Sequence, residues 1–194
     1  MKKLNRKGFT LIELLAVIVI LGILMLTAIP AVTRAIARSR RNTYWQNAKS
    51  YVQAATTPFL SGEYVKSGTT EACPLPGKKE YVAIPLTSVE LEQGDIAKSS
   101  FNAAYADSGN CIPYIIIANI ESNADKADNL QWYFVGMDKS NNGITNYTNI
   151  NDLKLSVVKT NGTCGLSAAA GTGSLTLGGT SGITKKAECV NGNQ

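Results

Sequence analysis

The feature that most constrains this chain is a long apolar run near its amino terminus. In the run Leu14–Thr33, sixteen of the twenty residues are Leu, Ile, Val, Ala or Met, and the other four are Gly22, Thr27, Pro30 and Thr33. An α-helix rises 1.5 Å per residue, so this run spans about 30 Å, which is the thickness of the apolar core of a bilayer. The sequence therefore predicts a membrane-spanning helix.

The residues that flank the run indicate that it is retained. Four basic residues and no acid precede Gly8, and Glu13 is the single charged residue between Lys7 and Arg34. A cleaved secretory signal has a shorter apolar region, followed at once by a small-residue cleavage site. Here the chain continues instead into Arg34 and an amphipathic pattern. We therefore expect the apolar segment to remain in the mature protein.

Composition excludes several classes of function. The chain has 194 residues and no histidine, which removes histidine bases, nucleophiles and metal ligands. The net charge of +5 is concentrated at the amino terminus, because residues 9–194 carry 15 basic and 14 acidic side chains. We therefore expect no general nucleic-acid binding. No serine-hydrolase motif, phosphate loop or Cys–His pair is present, so we predict no catalytic residues, no cofactor and no metal.

Glu13 is the unusual residue of the apolar segment. A carboxylate near the start of an apolar helix is costly in lipid and usually marks a function with a specific partner. The alternative is an interfacial position just inside the basic leader, where the charge would remain hydrated. The residues alone leave both interpretations open.

The sequence around Glu13 resembles a known export signal. The string from Lys7 to Leu15, KGFTLIELL, followed by the apolar run, resembles the class III signal of type IV prepilins and pseudopilins. In that family, a membrane-embedded prepilin peptidase cleaves after the glycine and methylates the new amino terminus. The resemblance covers about the first 35 residues. It implies cleavage between Gly8 and Phe9, and N-methylation of Phe9.

The resemblance also assigns assembly roles. It implies that Glu13 meets the N-terminal ammonium of a neighbouring subunit, which gives the buried charge the partner it needs. In the family's filaments the segment around Gly22 and Pro30 is often extended. Pro30 has no N–H for the Leu26 carbonyl, so we expect the helix to kink or loosen there. Gly22 weakens the same stretch by about 1 kcal/mol relative to alanine.

The implied function is that of a structural subunit of a type IV pilus or a pilus-like filament, with adhesion, motility or DNA uptake as its roles. The alternatives are a pseudopilin of a type II secretion or competence system, and a pilin-like surface adhesin or binding module. The implied partners are other pilin subunits in a homopolymer, the prepilin peptidase, and an inner-membrane assembly platform with its ATPase.

The resemblance also implies where the protein resides. The precursor lies in the cytoplasmic membrane with its amino terminus inside and its carboxyl terminus outside, and the assembled subunit lies in a cell-surface filament. Four basic residues precede the apolar run, and Arg34, Arg38, Arg40 and Arg41 follow it. The positive-inside rule therefore does not decide the orientation by itself.

Beyond Arg41 the pattern becomes amphipathic. Tyr44, Ala48, Tyr51 and Ala55 recur at helical spacing, and Pro58 predicts the end of the helix. We therefore divide the chain into a leader (1–8), a long helix (9–57) and a β-rich head domain (58–194). Within the helix, residues 9–33 form the transmembrane and polymerisation half, and residues 34–57 form the amphipathic half.

The head domain shows strand patterns. Apolar or alternating runs predict strands at Tyr81–Leu86, Ile112–Ile120, Leu130–Met137 and Leu153–Lys159. Residues 58–80 are predicted as a loop, and residues 162–182, of which 7 of 21 are glycine, as a flexible exposed loop. Short connections between successive strands favour an antiparallel sheet. Asp138–Gly143 predicts a hairpin turn, because position twelve of the corresponding calcium loop is Asn149 rather than a bidentate glutamate.

Four cysteines, Cys73, Cys111, Cys164 and Cys189, are widely spaced in a chain with an export signal. This predicts two disulfides, and three pairings are open. The resemblance to pilins, many of which have a disulfide-bounded C-terminal loop, implies Cys164–Cys189 and therefore Cys73–Cys111. The predicted fold is α+β: a long N-terminal α-helix packed on an antiparallel β-sheet domain with a disulfide-bounded C-terminal loop.

Overall fold

A computed structural model describes residues 9–89, 91, 101, 113–120, 130–138, 140–144, 147–160 and 174–192. The chain divides into two compact units between Ser39 and Arg40. The described elements are one long helix, α1 (Leu11–Leu60), a short 3₁₀ turn (Leu86–Ser88) and the strands β1 (Tyr64–Lys66), β2 (Glu80–Pro85), β3 (Tyr114–Asn119), β4 (Leu130–Val135), β5 (Asn142–Ile144), β6 (Val158–Thr160), β7 (Leu175–Leu177) and β8 (Thr180–Asn191).

Helix α1 ends later than Pro58 predicts. Pro58 lies in the last turn, where its missing N–H costs the one hydrogen bond to the Ala54 carbonyl. Phe59, which is 4% exposed, anchors this turn in the core. The stop signal is Gly62, whose φ of 79° requires a residue without a Cβ. Gly62 donates its N–H to the Phe59 carbonyl, and Glu63 donates to that of Pro58, which together form a Schellman cap.

The main sheet has the strand order β1-β8-β2-β3-β4, and β7 pairs with β8 outside this path. The pairs β1–β8, β2–β3 and β3–β4 are antiparallel. The pair β2–β8 is parallel, so the expectation of a purely antiparallel sheet is corrected to a mixed sheet. Strand β1 also lies within residues 58–80, which the sequence predicts as a loop. The predicted α+β class, with a helix packed on a sheet, is confirmed.

The sheet is buried on both faces. On one face, Val82, Ile117 and Phe134 pack with Tyr51 and other residues of α1 between Tyr44 and Phe59. On the other face, a second cluster contains the alternate residues of the same strands and the side chains of β7. This explains why β2 and β3 are almost continuously apolar, since a strand covered on both sides has no solvent face. The members of the second cluster are Tyr81, Ala83, Tyr114, Ile116, Ala118, Tyr133, Val135, Leu175, Leu177 and Ile183.

Strands β7 and β8 correct the prediction of a flexible loop at residues 162–182. Leu177 pairs with Thr180 across the two-residue turn Gly178-Gly179, whose φ values are 55° and 83°. Positive φ at both central residues is the geometry of a type I′ hairpin, and Gly-Gly is one of its preferred sequences. Residues 161–173 lie outside the described part of the chain.

The other strand predictions have mixed outcomes. Tyr81–Leu86 and Leu130–Met137 correspond to β2 and β4, and β3 lies inside the predicted Ile112–Ile120. The strand predicted at Leu153–Lys159 is wrong for its first half. Leu153 and Val157 donate main-chain hydrogen bonds to residues three positions earlier, which is a turn pattern, and strand β6 begins only at Val158.

The turn after β4 is held by Asp138. Its Oδ1 accepts main-chain hydrogen bonds from Ser140 and Asn142, and its Oδ2 accepts from the Asn142 side-chain amide, each at 2.8 Å. Met137 and Gly143 form an antiparallel bridge across the turn. The predicted hairpin turn is confirmed, since the carboxylate is bonded within its own loop.

The predicted disulfide pairing is wrong. Cys73 is bonded to Cys189, with their Cα atoms 5.8 Å apart. This bond excludes both Cys73–Cys111 and Cys164–Cys189, so β8 does not close a local C-terminal loop. The Cys73–Cys189 bond instead joins the carboxyl end of β8 to the segment that follows β1. In that segment, Cys73 donates its N–H to the Tyr64 carbonyl. Cys111 and Cys164 lie outside the described residues.

Candidate functional site

The first half of α1 presents an apolar surface. Every residue from Phe9 to Arg40 is exposed, and the side chains of Phe9 and Leu11 are 92% and 82% accessible. Apolar area of this extent is removed from water in a membrane or in contact with other protein, because soluble monomers rarely expose continuous patches beyond a few hundred Å². The surface therefore provides an insertion or association face.

Thr10 and Glu13 form the polar end of this surface. Glu13 Oε2 accepts hydrogen bonds from the main-chain N–H and the hydroxyl of Thr10, both at 2.8 Å. The main-chain N–H of Glu13 donates in return to Thr10 Oγ1 at 3.3 Å. This reciprocal arrangement is a capping box, which satisfies donors that the first turn of a helix leaves unpaired.

The capping box gives Glu13 a role within its own subunit that the sequence analysis missed. The detectable signal was the Thr-x-x-Glu spacing immediately before an apolar run. An acidic group at this end also interacts favourably with the helix dipole. The carboxylate is thereby fixed at the start of α1, one turn beyond Phe9.

Gly22 and Pro30 do not interrupt α1. The helix is continuous from Leu11 to Leu60 through both residues. A Cβ placed on Gly22 would meet no atom within 4 Å, so packing within the described chain does not require glycine there. Next to Pro30, the Thr33 hydroxyl donates to the carbonyls of Ile29 and Pro30, each at 3.1 Å. These bonds go to carbonyls about one turn beyond that of Leu26, which is the carbonyl that Pro30 leaves without its helical donor.

The remaining predicted site residues fall in different places. Phe9 precedes the first helical residue and is exposed, and Gly8 lies outside the described residues. Cys73 and Cys189 meet in the head domain, away in sequence from the N-terminal site. The structure thus groups Phe9 and Glu13 at one end of α1, and places Gly22 and Pro30 along the same helix.

The basic pair Lys185-Lys186 of the head is part of the sheet's own ion pairs. Lys186 Nζ lies 2.8 Å from Glu80 Oε2, and Lys185 Nζ lies 2.9 Å from Glu188 Oε2. The hydrogen bond from Lys186 lowers the pKa of Glu80, which also accepts the Gly77 main-chain N–H. The Lys186–Glu80 pair joins β8 to β2, whereas the Lys185–Glu188 pair lies within β8, and together they account for the basic residues structurally.

Helix α1 is, among the described residues, the helix whose length and apolar composition are sufficient to cross a membrane. The described residues contain no group of three or more His, Cys, Asp or Glu side chains arranged to hold a metal ion.

Part of the chain matches a protein-family model. Residues 3–29 match the family described as the prokaryotic N-terminal methylation motif, which is the class III signal of type IV pilins and pseudopilins. The chain has no significant match among curated proteins or among solved structures. The predicted resemblance is therefore confirmed for this segment. Together with the apolar helix, the signal supports a membrane-anchored precursor with the structural role of a pilin-like protein.

Proposed function

We propose that this protein is a filament subunit of the type IV pilus class, processed at its leader and assembled through α1. The observation that carries the proposal is the methylation motif at residues 3–29, because it coincides with the exposed apolar start of α1. A signal followed by a soluble domain would not need some thirty exposed helical residues, most of them apolar.

The proposed sequence of events starts in the membrane. The precursor inserts with its amino terminus inside and its head outside, which places the disulfide-bonded head in an oxidising compartment. Prepilin peptidase cleaves between Gly8 and Phe9 and methylates Phe9. Subunits then leave the membrane at an assembly platform driven by an ATPase, and their apolar helices pack together in the filament core.

Within this proposal, Glu13 has two successive partners. In the isolated subunit its carboxylate accepts both Thr10 hydrogen bonds. In the filament it faces the N-terminal ammonium of Phe9 in a neighbouring subunit, which offsets the cost of burying a charge. Gly22 and Pro30 let the helix extend during assembly, since both are weak points of an α-helix.

N-terminal mass analysis of protein sheared from the cell surface tests the proposal. We expect residues Met1–Gly8 to be absent and Phe9 to carry a methyl group. Gly8→Trp should block cleavage because of its bulk, whereas Gly8→Ala should be cleaved at least in part because alanine is also small. Intact Met1 on surface filaments would overturn the proposed processing.

A further inference from the structure

Two arginines directly follow the apolar run on the surface of α1. Arg34 and Arg38 are exposed, and they lie four residues apart, so they share one helix face. Arg41 continues this face but is partly buried and already engaged with another group. Arg40 points about 120° away from Arg34, given 3.6 residues per turn.

Neither arginine has an acidic partner in the described structure. The sequence from Leu14 to Gly62 contains no Asp or Glu, so no carboxylate lies at helical spacing from Arg34 or Arg38. The ion pairs Lys185–Glu188 and Lys186–Glu80 lie in strands β2 and β8, and neither involves Arg34 or Arg38. This face of α1 therefore carries two positive charges without a counter-charge among the described residues.

The positions of these arginines match the depth of lipid phosphates. When Leu14–Thr33 spans the apolar core, Arg34 lies at the boundary of that core, and Arg38 lies about 6 Å further along the helix. The polar layer of one leaflet is about 5–8 Å thick, so both guanidinium groups reach it. A guanidinium also matches phosphate oxygens with two parallel hydrogen bonds.

We propose that Arg34 and Arg38 form a binding site for the headgroup of an anionic phospholipid at the end of the apolar helix opposite Phe9. The occupant is a lipid of net negative charge, because two adjacent cations without a carboxylate partner favour an anion over a zwitterion. The site rests on membrane anchoring through α1 and does not depend on filament assembly. It holds the precursor at a fixed depth until subunits are extracted.

The test uses the full-length chain in phosphatidylcholine vesicles that contain spin-labelled phosphatidylglycerol or spin-labelled phosphatidylcholine. Electron paramagnetic resonance measures the relative association of each labelled lipid with the protein. We expect a preference for phosphatidylglycerol that falls by about twofold to fivefold in Arg34→Gln and in Arg38→Gln, given the contribution of one arginine near an anionic surface. The matched control Arg40→Gln removes the same charge from another face and should retain the preference.

The basic leader is present in every variant, so its contribution to the preference is constant. Both arginines are exposed, and equal helicity by circular dichroism should confirm that the variants fold alike. An unchanged preference in Arg34→Gln and Arg38→Gln would overturn the site, and an equal loss in Arg40→Gln would reduce it to a net-charge effect. Failure of the parent chain to float with vesicles would instead refute the membrane anchor itself.

Discussion

The hydroxyl of Tyr44 donates a hydrogen bond to the carbonyl oxygen of Gly136 at 2.8 Å. Tyr44 is 1% exposed, and its ring packs edge-on against Phe101 and Phe134, with centroids at 5.3 and 6.1 Å. Gly136 follows β4, so this contact joins the amphipathic part of α1 to the end of an outer strand of the sheet. The hydroxyl and the ring of Tyr44 therefore both hold α1 against the sheet.

Tyr44→Phe keeps the ring contacts and leaves the buried Gly136 carbonyl without its partner. We expect a loss of about 1–3 kcal/mol in the free energy of unfolding, which is the cost of an unsatisfied buried acceptor. Thermal unfolding of the full chain in detergent measures it. Tyr147→Phe is the matched control: its hydroxyl has no hydrogen bond within the described residues, and we expect a change below about 0.5 kcal/mol. Equal effects in the two variants would contradict the assignment.

Alkaline pH should unfold the head through its buried tyrosines. Burial raises the pKa of Tyr81, Tyr114 and Tyr133 to about 12 and raises that of Tyr44 as well. A raised folded-state pKa contributes stability that is complete below the unfolded value of about 10 and is lost as the pH rises towards 12. Absorbance at 295 nm should therefore show these tyrosines ionising together with the loss of circular dichroism. Full ionisation near pH 10 with the fold intact would contradict the prediction.

The sequence predicted the parts of the fold that local pattern determines. The stripe from Tyr44 to Ala55 identified the buried face of α1, and the continuous apolar runs identified β2, β3 and β4. In each case, the spacing of apolar residues reports burial directly. The methylation signal was recognisable for a different reason, since its residues around Glu13 form a specific motif.

The predictions from the sequence were wrong where pairing partners are far apart in the chain. Strand β8 is largely polar, and its middle part, from Thr184 to Glu188, pairs in parallel with β2, some hundred residues away. Composition alone cannot show that contact, so the glycine-rich approach to β8 resembled a loop. The predicted disulfide pairing was wrong for the same reason. Cys73 and Cys189 are 116 residues apart and meet only through the β1–β8 pairing.

The Cys73–Cys189 bond leads to a specific prediction for the other two cysteines. If all four are oxidised, Cys111 and Cys164 must pair with each other, since four cysteines leave one alternative once the first bond is fixed. Peptide mapping without reduction should recover both linked pairs. Free thiol at Cys111 or Cys164 in exported protein would refute the second bridge and leave the first intact.

Loss of the Cys73–Cys189 bond should destabilise the head strongly. The double variant Cys73→Ser, Cys189→Ser frees a loop that spans 116 residues, and we expect a loss of about 3–5 kcal/mol. Thermal unfolding of the parent chain and of this double variant under the same conditions measures the loss. An unchanged free energy of unfolding in this double variant would show that the pairing of β1 with β8 stabilises the head without the disulfide.

The contacts of Glu13 allow its charge and its capping role to be separated. Glu13→Gln removes the charge but keeps an oxygen that can accept the Thr10 N–H, and glutamine serves in capping boxes as glutamate does. Thr10→Ala does the reverse, since it removes the hydroxyl that bonds Glu13 and retains the carboxylate. We expect both variants to insert into the membrane and to be cleaved after Gly8.

Assembly should distinguish the two variants. In a buried pair, removal of one charge leaves the other uncompensated, so Glu13→Gln as the single copy should yield less than about a tenth of the parent's filament. Thr10→Ala should yield filament at a level close to that of the parent, because the charge remains and packing in the polymer holds the helix start. The measurement is sheared surface filament per cell against total membrane-held subunit. Parental amounts from Glu13→Gln would show that charge pairing does not drive assembly, and a loss confined to Thr10→Ala would assign the role of Glu13 to helix capping.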